Sequence, residues 1–222
     1  FNRGAPGGRA RPRAHASRWM GALAQITGVG LAGAMAFPIR ILAFSGSARR
    51  ESLNKKLLAV TVQAVRAAGG EVTLLDLTDL PLPLYHGDLE DASGLPANAV
   101  KLIDLVTQHQ GLLIASPEYN AMITPLLKNT IDWCTRADTN PLLGKVAAVV
   151  SASPGAQGGV RSMQLARQLL LHLGCHVVPA QCILPKAHEA FDAAGALQDP
   201  RAQKSVQAVA ADLVRTVTRL GS

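Results

Sequence analysis

Aromatic residues make up only 4% of this 222-residue chain and charged residues only 17%. Rings interleaved with cations, the pattern of a single-strand nucleic-acid face, are therefore missing. The three cysteines, Cys134, Cys175 and Cys182, are too few for a disulfide framework and lack the paired CxxC spacing of a zinc site. They suit a reducing compartment, and the expected location is the cytoplasm. Acidic residues are absent from the first forty positions, which hold Arg3, Arg9, Arg11, Arg13, Arg18 and Arg40. That leaves 16 of the 22 basic residues against all 15 acids in the remainder, so the net charge of +7 resides almost wholly in the leading segment. A basic charge confined to one end is no nucleic-acid footprint, and no nucleic-acid partner is expected.

Long apolar runs are scarce too. Residues 19–37 are mildly apolar, but Gly21, Gln25, Thr27, Gly28, Gly30 and Gly33 interrupt them, so no membrane span is expected there. The order of a basic start, an apolar middle and small residues at 32–36 only loosely follows a secretory signal. Residues 1–37 are read as an Arg/Gly/Ala-rich extension, disordered or lying upstream of a start at Met35, and residues 38–222 as one domain.

What is present is a globular composition, 48% hydrophobic, with 20 glycines and 13 prolines. That is too apolar for disorder and too poor in Gly and Pro for a fibrous chain. From Ile39 onward, short apolar runs alternate with amphipathic segments. Strands are expected at 39–44, 71–77, 111–116, 145–150 and 176–184, and helices at 52–68, 95–109, 124–134, 160–173 and 199–220. The runs at 111–116 and 145–150 are apolar throughout, as central parallel strands covered on both faces should be. Pro179 implies a bend or an edge in the last strand. Residues 78–94, with Pro81, Pro83 and four acids, are expected to form an irregular loop. The alternation predicts an α/β doubly wound sheet of five parallel strands with helices on both faces, its ligand beyond the carboxyl ends of the strands.

Three strand-end loops carry the unusual residues. The first runs Ser45-Gly46-Ser47-Ala48-Arg49-Arg50-Glu51-Ser52-Leu53-Asn54 into a helix. It has neither the GxGxxG spacing of a dinucleotide turn nor the GK[ST] end of a nucleotide triphosphate loop. Its Ser47 and Ser52 hydroxyls, Asn54 amide, Arg49 guanidinium and helix-start N–H groups could nonetheless surround a terminal phosphate, or simply cap a helix. The second is Ser116-Pro117-Glu118-Tyr119-Asn120, followed by Lys128-Asn129-Thr130-Ile131-Asp132-Trp133 at helical spacing. The third is Ser151-Ala152-Ser153-Pro154-Gly155-Ala156-Gln157-Gly158-Gly159.

Together these segments, as GSxRxxSxN, PEYN…LKNxIDW and SxSPGxxGG, resemble the NADPH-dependent FMN reductase family over about residues 38–185. That family, of flavodoxin-like fold, includes quinone, azo-dye and chromate reductases. The resemblance implies a strand order of 2-1-3-4-5, bound FMN, and NAD(P)H as co-substrate. It implies a ping-pong cycle in which hydride passes through the flavin to a small-molecule acceptor. Ser47, Arg49, Ser52 and Asn54 would hold the phosphate, with Ser45 and Leu53 of the same loop also at the cofactor, Pro117, Glu118, Tyr119 and Asn120 bordering the ring, and Ser153, Pro154, Gly155, Gly158 and Gly159 lining its other side. No catalytic side chain and no metal are then expected, because the cofactor carries the hydride chemistry. A homodimer or homotetramer is implied by resemblance alone. Where many relatives carry Gly or Ser after Asn120, this chain has Ala121-Met122-Ile123, which leaves the acceptor open. Two other classes fit the same fold, an electron carrier and a non-catalytic FMN-binding module.

Overall fold

The computed structural model describes residues 38–221; the extension assigned to 1–37, with Met35, lies outside them. Its strands are β1 (Arg40–Ser45), β2 (Glu71–Leu75), β3 (Gly111–Ala115), β4 (Glu118–Tyr119), β5 (Met122–Ile123), β6 (Val146–Ala152), β7 (His176–Val177) and β8 (Cys182–Leu184). The helices are α1 (Leu53–Ala67), α2 (Gly87–Ser93), α3 (Ala97–Gln108), α4 (Pro125–Cys134), α5 (Val160–His172) and α6 (Pro200–Leu220). β4 and β5 make a separate antiparallel hairpin. The main sheet is parallel throughout, in the order β2-β1-β3-β6-β7 with β8 also on β6. This is the expected 2-1-3-4-5 order, with the fifth strand in two pieces.

The two-residue period of the strands sorts their side chains into two cores. Ile41 and Ala43 of β1, Leu113 and Ala115 of β3, and Val146, Ala148 and Val150 of β6 pack in one cluster with residues of α1 and α6. Leu42 and Phe44, Leu112 and Ile114, and Ala147 and Val149 pack in the other, with residues of α3, α4 and α5. β3 and β6 are buried along their whole length, which is why they read as unbroken apolar runs. β2, at the edge, is largely exposed.

Two segments depart from expectation. The strand predicted over 176–184 breaks between β7 and β8, because Pro179 has no N–H for the ladder and the Ala180 N–H goes to Asp212 Oδ2 of α6 at 3.1 Å. The loop predicted over 78–94 contains the short helix α2, preceded by a 3₁₀ turn at Leu77–Asp79. α2 buries no side chain, so it left no apolar periodicity to read. It rests instead on the His86 Nδ1 cap, which accepts the Leu89 N–H at 3.2 Å, and on Asp88 and Glu90 in its first turn.

The loop before α2 is fastened to α4. Asn129 accepts the Tyr85 N–H at 2.8 Å and donates to Pro83 O at 2.9 Å, and the buried Trp133 indole donates to the same carbonyl at 2.8 Å. Tyr85 meets the Trp133 ring edge-on at 5.1 Å. Asn129 and Trp133 thus serve packing. Among the described residues, no helix is long and apolar enough to cross a membrane.

All three cysteines are free and buried. Burial pushes the Cys134 thiol up to about 12 and those of Cys175 and Cys182 up to about 11. Two outcomes are expected. A thiol reagent at pH 8 labels the native protein far more slowly than the urea-unfolded chain, in which all three cysteines react. Because the folded values lie above the unfolded one, the contribution of these thiols to stability is complete below about pH 8.5 and is lost as the pH rises through the folded values. Urea midpoints measured across the alkaline range should therefore fall as the pH increases.

Candidate functional site

The carboxyl ends of β1, β3 and β6 lie side by side, and the loops that leave them meet above the sheet edge. The first loop enters α1, whose leading N–H groups have no partner within the helix. Ser52 caps that helix by accepting the Lys55 N–H at 3.4 Å, and Ser47 accepts the Arg49 N–H at 3.3 Å. Both serines are buried, and each, acting as acceptor, keeps its hydroxyl hydrogen for another group. Arg49 and Arg50 stand exposed on the rim.

The Asn54 side chain is engaged within the protein. It is buried and bonded at both ends to β6, donating to Ala152 O at 2.7 Å and accepting the Ala152 N–H at 3.0 Å. It ties the first loop to the third. Leu53 packs its side chain on the α1 and α6 core. Ser45 Oγ is buried with no hydrogen-bond partner among the described residues, and Ser45 borders a cavity between β1, β2 and α1.

The second loop turns through the β4–β5 hairpin, in which Glu118 pairs with Ile123 and Tyr119 with Met122. The two residues between the strands, Asn120 and Ala121, have φ of 52° and 64°. A two-residue hairpin with both central residues left-handed favours Asn followed by Gly, so Ala121 carries strain here. Pro117 is buried, while Tyr119 is about half exposed at 47%.

Glu118 reaches across to the third loop. Gly159, the N-cap residue just before α5, has no capping side chain, and Glu118 Oε2 supplies the cap by accepting the N–H groups of Arg161 at 3.1 Å and Ser162 at 3.3 Å. The Arg161 guanidinium lies 3.7 Å from the same carboxylate and donates to Gln157 at 2.8 Å. Its charge is therefore answered within the protein.

Three buried serines complete the connection. Ser162 Oγ donates to Pro117 O at 2.7 Å and receives the Ser116 hydroxyl at 2.7 Å, while Ser151 Oγ donates to Ser116 O at 2.7 Å. The first and second loops are joined by Thr124, which caps α4 and donates to Gly46 O at 2.6 Å. Of these connecting residues, Thr124 left a signal as a capping residue before the Pro125 that opens a helix. Ser151 opens the SxSPGxxGG pattern, which does not name its partner, and Ser162 left no signal.

In the third loop, Pro154 and Gly155 are exposed, and Ser153 Oγ accepts the Gly155 N–H at 3.2 Å. A Cβ on Gly155 would meet only Ser153 Oγ, at 3.6 Å, so the space beyond it is open. Gly158 and Gly159 answer a different need. Both have positive φ, and a Cβ would fall 2.6 Å from Ile183 Cγ2 at the first and 2.1 Å from Ser151 Oγ at the second. Their close approach is to the sheet.

Two substitutions probe this framework. Ala121→Gly relieves the left-handed alanine and should raise stability by about 0.5–1 kcal/mol, seen as a higher urea midpoint. Asn54→Ala leaves both polar groups of Ala152 without their partner and should lower stability by about 2–4 kcal/mol in the same measurement.

Comparison with known proteins agrees with this architecture. The family model described as NADPH-dependent FMN reductase matches residues 39–189. An NAD(P)H-dependent FMN reductase of Pseudomonas aeruginosa is 34% identical over 174 residues, covering 78% of this chain and 92% of that protein. A quinone reductase of Escherichia coli is 34% identical over 145 residues, covering 65% and 76% respectively. Among solved structures, the flavoenzyme NAD(P)H:(acceptor) oxidoreductase of Paracoccus denitrificans superposes with a TM-score of 0.70 at 30% identity, over 81% of this chain and 97% of that one. The parallel sheet, the three joined loops and these matches together make the chain a member of the NADPH-dependent FMN reductase family, an oxidoreductase that works with FMN and NAD(P)H.

Proposed function

We propose that the crevice above β1, β3 and β6 is where FMN is held and that the protein is an NAD(P)H-dependent oxidoreductase acting on quinones, with azo compounds and chromate as further acceptors. The observation that carries this reading is the tying of three strand-end loops to one another at one sheet edge, with the hydroxyls of Ser47 and Ser52 and a helix N-terminus in the first of them. That donor set suits a phosphate dianion, and no carboxylate of the first loop other than exposed Glu51 competes for it. Open space over Gly155 suits the approach of a flat ring.

Ser47, Ser52 and Arg49 would hold the phosphate, with Leu53 and Asn54 contributing N–H groups of the first helical turn. Pro117, Glu118, Tyr119 and Asn120 would border the ring through their backbone, and Ser153, Pro154 and Gly155 would line its other side. Asn54, Glu118, Gly158 and Gly159 would act mainly by holding these loops in register. When bound, the flavin supplies the redox chemistry, a hydride taken from NAD(P)H and then passed in alternation to the acceptor. Arg49 and Arg50 would draw anionic nucleotide toward the rim. A homodimer or homotetramer in the cytoplasm completes the proposal.

The purified protein should be yellow, lose its flavin absorbance on anaerobic addition of NADPH, and regain it when a quinone is added. Protein that takes up no FMN would refute the reading, and flavin that NADPH and NADH leave oxidised would point to a carrier instead. Arg49→Ala should weaken FMN binding about tenfold or more, read by quenching of flavin fluorescence.

A further inference from the structure

Apart from Ser45, the cavity beside the end of β1 is lined by residues that the proposed FMN site does not use. It measures about 90 Å³ and is lined by Ser45 at the end of β1, Lys55 and Leu58 of α1, and Leu74, Leu75 and Asp76 at the end of β2. Ser45 Oγ, in a residue only 3% exposed, has no hydrogen-bond partner among the described residues. An orphaned buried hydroxyl is costly and calls for a partner. Across the cavity, Lys55 Nζ donates to Asp76 Oδ2 at 2.5 Å, while Asp76 Oδ1 accepts the N–H of Thr78 at 3.0 Å and its hydroxyl at 2.8 Å. Burial pushes the Asp76 carboxyl up, but the hydrogen bonds from Lys55 and Thr78 outweigh it and hold the group below its usual range. The ammonium keeps two further hydrogens beyond the one given to Asp76.

The chemistry of the lining selects the occupant. Lys55 is already neutralised by Asp76, so neither a free anion nor a cation finds an unanswered charge. The leucines supply no polar group. What is wanted is a small neutral molecule that both donates and accepts, and one water needs only about 10–15 Å³ of such space.

We infer that this cavity is a structural water site, in which ordered water bridges Ser45 to the Lys55–Asp76 pair and so positions the first loop from beneath. Ser45 is then a positioning residue, and its hydroxyl does not touch the phosphate. The next two residues, Gly46 and Ser47, continue directly into the proposed phosphate turn, and Lys55 lies in the first turn of α1. The inference deepens the reading of that turn as the FMN phosphate site and rests on it for its effect on binding, but the water itself can be tested without cofactor.

The test combines crystallography with FMN titration. High-resolution structures of the FMN-free and FMN-loaded protein should both place ordered water within hydrogen-bond distance of Ser45 Oγ and of Lys55 Nζ or Asp76. Ser45→Ala should weaken FMN binding about 3–10-fold, whereas Ser45→Thr, which keeps the hydroxyl, should stay within about 2-fold. A double-mutant cycle of Ser45→Ala with Asp76→Asn, read as FMN affinity, should be non-additive by about 3-fold or more. A dry cavity, a Ser45 hydroxyl bonded to the phosphate, or strict additivity would overturn the inference. Failure to bind FMN in the wild type would instead refute the proposed function, and the FMN-free crystal would still decide whether the water is there.

Discussion

A set of hydrogen bonds joins three loops which the sheet alone would leave independent. Parallel strands deliver their carboxyl ends to one edge, but the loops that follow are separated by whole helices in sequence. Asn54 crosses 98 residues to grip both backbone groups of Ala152. Thr124 crosses 78 residues to Gly46, and Glu118 crosses 43 to the start of α5. Where such a bond is buried, its loss would leave a polar backbone group without water to replace the partner.

This arrangement changes what several residues contribute. The side chains of Asn54 and Glu118 are engaged with other loops, and Gly158 and Gly159 lie close against the sheet. Glu118 provides the cap that Gly159, the N-cap residue of α5, lacks, and Gly159 must be glycine because Ser151 occupies the place of its Cβ. Ser47 and Ser52 are buried in the first loop with hydroxyl hydrogens to spare, while Arg49 and Gly155 are exposed. A cofactor enzyme needs this division of labour, since the flavin carries the electrons and the chain must hold loops and backbone in place around it.

Much of the fold was legible in the order of residues. Two-sided burial of β3 and β6 writes itself into the chain as unbroken apolar runs, and α6 shows its core face through Val206, Val209, Leu213 and Val217. Elements that bury nothing, such as α2, or that span two residues, such as the β4–β5 hairpin, leave no periodic trace. The break in the fifth strand was signalled by Pro179, but the partner Asp212 lies a helix away and could not be named.

Local patterns were enough to establish the alternating α/β order, the three loops and their family likeness, because strand period, helix period and short motifs are properties of neighbouring residues. It took the packed molecule to reveal that Ser116, Ser151, Ser162 and Thr124 join those loops, and that Ser45 faces a cavity with Lys55 and Asp76. A hydroxyl reads the same in a sequence wherever it points, and its partner is set by which distant backbone the folded sheet brings within about 3 Å.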